Sequence, residues 1–131
     1  MSNFSSIEDI IAWQEARQLV NEIYTLTKID KIKGDYSLVN QIRRASISVM
    51  ANIAEGYGRK SFAEFSQFLN ISHGSLIEVI SHLYIFLDQK YIAQEQFNYL
   101  HFHYMKLSKM IMSLKSYLNE NKNKNKKELK N

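Results

Sequence analysis

Residues 41–78 read QIRRASISVMANIAEGYGRKSFAEFSQFLNISHGSLIE, and in this stretch two helical patterns meet at a short glycine-bearing junction. Leu38, Ile42, Ala45, Val49 and Ile53 step by four, three, four and four, which keeps one face of a helix apolar over roughly 36–55. Gly56 then predicts a stop, because glycine accepts the left-handed conformation just past a helix end. Ser61 followed by Glu64 has the form of a capping box, in which the serine oxygen takes an orphan amide and the glutamate reaches back to the serine amide. A second helix over roughly 62–89 follows.

Its inner row, Phe62, Phe65, Leu69, Ser72, Leu76, Val79, Leu83 and Phe86, alternates threes and fours without a slip. This is the spacing of helices packed near-antiparallel. Downstream, Phe97, Leu100, Tyr104, Leu107, Ile111, Leu114 and Leu118 repeat it. Upstream, a helix is expected over about 8–28, capped by Ser5 or Ser6, with Glu8 and Asp9 in its first turn. Its inner row would be Trp13, Ala16, Val20, Ile23 and Thr27, flanked by Leu19 and Tyr24, and IDKIKGDY would be the loop that follows. Four long helices with short connections predict an all-α, up-down-up-down antiparallel four-helix bundle over 1–118.

Composition agrees. A chain of 131 residues is sized for one domain, and with no proline only four glycines punctuate it. Without cysteine there is neither a disulfide framework nor a thiolate metal site. The net charge is +4, yet residues 119–131, NENKNKNKKELKN, supply +3 of it, so the body is nearly neutral. That Asn/Lys run has one leucine and is expected to be a disordered tail. No apolar run reaches membrane-spanning length, and MSNFSSIEDI lacks the pattern of a signal peptide, so a cytoplasmic protein is expected.

Helical bundles often house carboxylate-bridged metals, which require Glu-x-x-His on two helices. No glutamate here has histidine three residues later. Glu78 and His82 lie one turn apart and make a weak two-ligand pair; His101 and His103, two apart, share no helix face. A G-x-S-x-G nucleophile elbow is missing, and Gly56-Tyr57-Gly58 follows a helix rather than a strand, so it is no dinucleotide fingerprint. No catalytic residue, metal site or cofactor is expected, and the chain reads as a non-enzyme.

Two features remain. Arg59 and Lys60 precede a helix start, where free amides and the dipole favour an anion, and Arg43 and Arg44 are further candidate phosphate contacts. The competing assignment pairs Arg59 with Glu55 or Glu64, and Arg44 with the neighbourhood of Glu55. The other feature is a second apolar strip, Ile47, Met50 and Ala54, opposite the main ladder of its helix, with Phe68 and Ile71 outside the main row of the next. Either neighbouring helices wrap this strip, or it is a homo-oligomer interface.

The quoted stretch, together with Ala12-Trp13-Gln14-Glu15-Ala16 and Ile23-Tyr24, closely resembles the bacterial four helix bundle protein family, named for proteins encoded in intervening sequences of 23S ribosomal RNA genes. The resemblance spans about residues 4–118. It is carried most specifically by Asn52-Ile53-Ala54-Glu55-Gly56, Gly58-Arg59 and Gly74-Ser75-x-x-Glu78. Met50 stands where many members have proline, and the loop before Tyr36 lacks the family's frequent proline and glutamate. The resemblance implies a homopentamer and a relation to the accessory variability determinant of diversity-generating retroelements, which binds RNA and a reverse transcriptase. It supplies no catalytic residues. The expectation is therefore an oligomeric, RNA-associated bundle using Arg43, Arg44, Arg59 and Lys60, and the alternative is a protein-interaction scaffold that does not touch nucleic acid.

Overall fold

In the computed structural model, which describes residues 4–121, four long helices run α1 (Ile11–Thr27), α3 (Tyr36–Tyr57), α4 (Phe62–Asp88) and α5 (Gln94–Glu120), with a one-turn α2 (Asp30–Lys33) between the first two. Side-chain pairs fix their order and direction. Arg43 of α3 meets Thr27 at the end of α1, while Tyr57 at the end of α3 meets Phe4 ahead of α1. Ser48 and Ser75 join α3 to α4, Ser66 and Asn119 join the start of α4 to the end of α5, and Glu22 and Tyr99 join α1 to α5. Every neighbouring pair is antiparallel, and the bundle is up-down-up-down.

The core follows the apolar ladders. All five ladder residues of α3 are buried, as are all eight of α4 and all seven of α5. In α1 the core is wider than the expected row: Ala12 and Leu26 are buried along with the flanking Leu19, whereas Val20 is only half-buried. Seventeen residues with a two-sided stripe sit in the corner between α3 and α5, so the apolar arc is broad.

Four local expectations are corrected. The first helix begins at Ile11 rather than residue 8, because Ile7–Asp9 close a separate 3-10 turn whose Ser6 makes no side-chain cap. The segment after α1 is not all loop: Asp30 pairs with Lys33 at 3.0 Å across one turn, and Ile32 anchors that turn in the core. Gly56 is not left-handed. Helix α3 continues through it to Tyr57, and none of the glycines has positive φ. A Cβ at Gly56 would stand 2.8 Å from Phe65 Cδ1 and 2.9 Å from Phe68 Cβ, so the glycine admits α4 rather than ending α3. Finally, Ser61 caps α4 by accepting the Glu64 amide at 3.2 Å, but the Glu64 carboxylate accepts from the Ser61 hydroxyl and not from its amide.

Helix α5 extends to Glu120, and Asn119 accepts a 2.7 Å hydrogen bond from Ser66, so the start of the Asn/Lys segment belongs to the bundle. The rest of that expected tail, from residue 122 on, lies outside the described residues. None of the described helices is long and apolar enough to cross a membrane.

Candidate nucleic-acid interface

The four candidate basic residues fall into two places. Arg43 and Arg44 lie in the first half of α3; Arg59 and Lys60 form the α3–α4 turn, about 20 Å further along the helix axis. The fold does not bring them into one patch within a single chain.

Their surroundings differ as much as their positions. Arg43 is half-buried, donates from Nε to Thr27 Oγ1 at 2.8 Å and lies over the Tyr24 ring at 4.3 Å, which staples α3 to α1. Thr27 can accept because its own proton goes to the Ile23 carbonyl at 2.8 Å. Arg59 reaches Glu55 at 3.0 Å and rests on the Phe68 ring at 4.6 Å. Glu55 is thereby taken by Arg59, and Arg44 is left exposed without an ion-pair or hydrogen-bond partner among the described residues, as is Lys60.

The second apolar strip is divided. Met50 and Ala54 are half-buried against the core. Ile47 is 42% exposed on the outer face, and Ile71 of α4 is 51% exposed. Between the two helices the Ser48 and Ser75 hydroxyls meet at 2.8 Å, and Asn52 donates to Ser48. Small residues here serve close approach of α3 and α4 within the chain.

Two of the four histidines, His73 and His82, sit within the helix packing. His73 Nε2 meets Ser108 Oγ at 2.8 Å across the α4–α5 seam. His82 is buried with its Nε2 3.6 Å from Glu78 and no hydrogen bond on either ring nitrogen. Among the described residues no group of three or more His, Asp or Glu could hold a metal ion. Burial, with the Glu22 charge as a lesser cause, pushes the Tyr104 phenol far up, and Glu22 does the same more weakly to Tyr99.

Sequence reasoning missed Thr27 and Tyr24 as the seat of Arg43, since nothing local marks a partner 16 residues away. It also passed over the outer face of α5, which carries Phe102 and Tyr99 in solvent together with Lys106 and Lys109. A signal was present: from Gln96 to Asn119 the chain has three lysines and no carboxylate.

Comparison with known proteins gives two findings. A solved structure from Bacteroides thetaiotaomicron, described as a protein of unknown function from the S23 ribosomal protein family, matches with a TM-score of 0.75 at 23% identity, over 81% of this chain and 96% of its own. That likeness shows a shared fold. No curated protein matches the chain. The family model described as 23S rRNA-intervening sequence protein matches residues 8–113, from the turn before α1 to the last third of α5. With all four long helices inside or overlapping that match, the chain belongs to the 23S rRNA-intervening sequence protein family.

Proposed function

We propose that this protein is a non-enzymatic, self-associating helical module that works with RNA in the cytoplasm. The observation that carries the reading is its membership of a family defined by ribosomal RNA intervening sequences. Self-association is supported by Ile47 and Ile71, two large apolar side chains left in solvent on adjacent helices; the pentamer is the stoichiometry that the family resemblance implies. Met50 and Ala54 then contribute at the border of that contact. Arg44 and Lys60 are the phosphate contacts with nothing to give up. Arg59 joins them by exchanging an exposed ion pair worth at most about 1 kcal/mol. Arg43 contributes least, since leaving Thr27 and Tyr24 would loosen α1. Repetition around a ring would assemble a basic surface that one chain lacks.

A second reading is favoured by the internal seating of Arg43 and Arg59: a protein-interaction scaffold whose arginines are structural. RNA affinity measured against salt separates the two. Phosphate contacts release counterions, so affinity should fall steeply from low to moderate salt. A chain ending at Asn121 should retain a salt-dependent component once the lysine-rich end is gone. No RNA affinity in that shortened chain at low salt would leave the scaffold. Sedimentation at micromolar concentration should show an oligomer, and a clean monomer would remove self-association from either reading.

A further inference from the structure

Between Gln96 and Asn119 the outward face of helix α5 combines exposed rings with positive charge alone. Phe102 is 64% exposed and Tyr99 48%, with Met105 and Met112 also open at 38% and 40%. Phe102, Lys106 and Lys109 step by four and three, so the ring and both ammonium groups share one face. From Gln96 to Asn119 no carboxylate interrupts them; Glu95 and Glu120 stand at the two ends. The α1 carboxylates beside this face are already engaged, Glu15 with His103 at 3.6 Å and Glu22 with the Tyr99 hydroxyl at 3.4 Å. Those contacts also orient the rings: His103 lies 4.4 Å from Tyr99 and 5.2 Å from Phe102, centroid to centroid.

A wet aromatic costs the free protein something, and a purely solvated face would not need Phe102. Against an apolar protein partner, Lys106 and Lys109 would have to be desolvated at the centre of the contact. Against unpaired nucleic acid the same mixture is complementary, since bases stack on rings and lysines meet the phosphates between them. We infer that the outer face of α5 is a stacking platform for unpaired RNA, with Phe102 taking a base, Tyr99 bordering it, and Lys106 and Lys109 contacting the backbone. This rests on the RNA-associated reading above and deepens it by naming the strand type and the surface.

The test uses the full chain with labelled oligouridylate and a fully paired RNA duplex as probes, titrated over a range of salt. The parent should prefer the unpaired probe. Phe102→Ala should weaken that binding at least about fivefold with the salt slope unchanged, and Phe102→Tyr should retain it, because stacking needs an aromatic face and tyrosine keeps one. The Lys106→Ala, Lys109→Ala double variant should instead lower the slope by about 1.4, two phosphates at about 0.7 each for a single strand. All three positions are exposed, and circular dichroism should report an unchanged fold. If the parent binds and both α5 variants bind as it does, while Arg44→Ala with Lys60→Ala loses affinity, the platform is overturned and the RNA reading stands. If the parent binds neither probe at low salt, both fall. A Phe102→Ala variant that changes oligomeric state at unchanged RNA affinity would make this face a contact between copies, which also overturns the proposal.

Discussion

The two turns at opposite ends of α4 solve the same problem with opposite residues. The α3–α4 turn is rich in glycine, yet Gly58 is right-handed at φ −71° and Gly56 is an ordinary helical residue. The α4–α5 turn holds no glycine, yet Lys90 is left-handed at φ 61°. There the Tyr91 amide donates to the Phe86 carbonyl at 2.9 Å and the Lys90 amide to Leu87 at 3.0 Å, the pairing that closes a helix through a left-handed residue. The Tyr91 ring lies 6.0 Å from Phe86, and its hydroxyl donates to Asp35 Oδ2 at 3.0 Å. Asp35 in turn accepts the Leu38 amide at the start of α3. A turn held by ring packing and an interhelical hydrogen bond tolerates the roughly 1–2 kcal/mol that a left-handed side chain costs. Gly56, conversely, answers a demand of space and not of dihedral angle.

The sharpest way to break that contrast is Gly56→Val. Space for even one carbon is missing, with Phe65 Cδ1, Phe68 Cβ and the Phe65 carbonyl at 2.8, 2.9 and 3.2 Å from the new Cβ. Overpacking at such a site should destabilise the protein by about 3 kcal/mol. Gly56→Ala should also destabilise, although alanine is the better helix former by about 1 kcal/mol. Gly58→Ala is the control. Its nearest contact would be the Glu55 carbonyl at 3.4 Å, and its backbone is already right-handed, so the change should be neutral or stabilise by up to about 1 kcal/mol. Thermal melts at fixed protein concentration decide it. A large loss at Gly58 with none at Gly56 would restore the reading in which this turn depends on a left-handed glycine.

Ser61→Ala tests the other half of the same turn and should cost about 1 kcal/mol, because the Glu64 amide loses its acceptor. Glu64→Ala should cost distinctly less, since its carboxylate touches only the serine hydroxyl and leaves no amide orphaned. Equal losses at the two positions would mean that the full reciprocal cap forms in solution.

What the sequence made legible follows the reach of each interaction. The ladders of α3, α4 and α5 were readable residue by residue, because burial along a helix repeats every three or four positions and needs no partner to be identified. The Ser61 cap and the Arg59 to Glu55 pair were readable for the same reason, being local. Gly56 was misread because the residues that crowd it, Phe65 and Phe68, belong to the next helix. Arg43 was legible as basic but not as occupied, since Thr27 and Tyr24 reach it from α1. Lys90 carries no sequence mark at all. Its conformation is imposed by Phe86, Tyr91 and, through the Tyr91 hydroxyl, by Asp35 more than fifty residues upstream.

Lys90→Gly should therefore produce a small effect with a telling sign. Glycine relieves the left-handed cost of roughly 1–2 kcal/mol, but it also frees the unfolded chain, which takes back about 0.4–1 kcal/mol. A net gain of about 0.5–1 kcal/mol is expected, a rare case in which glycine at a helix end stabilises a protein that never used one there. Lys90→Val should move the other way, because a β-branched side chain is less tolerant of positive φ than lysine. Urea titrations of the three proteins at one concentration give the order Gly, Lys, Val. Should glycine rank below lysine, the turn would be held by contacts of the lysine side chain itself, and the parallel drawn with the α3–α4 turn would lose its conformational half while keeping the steric one.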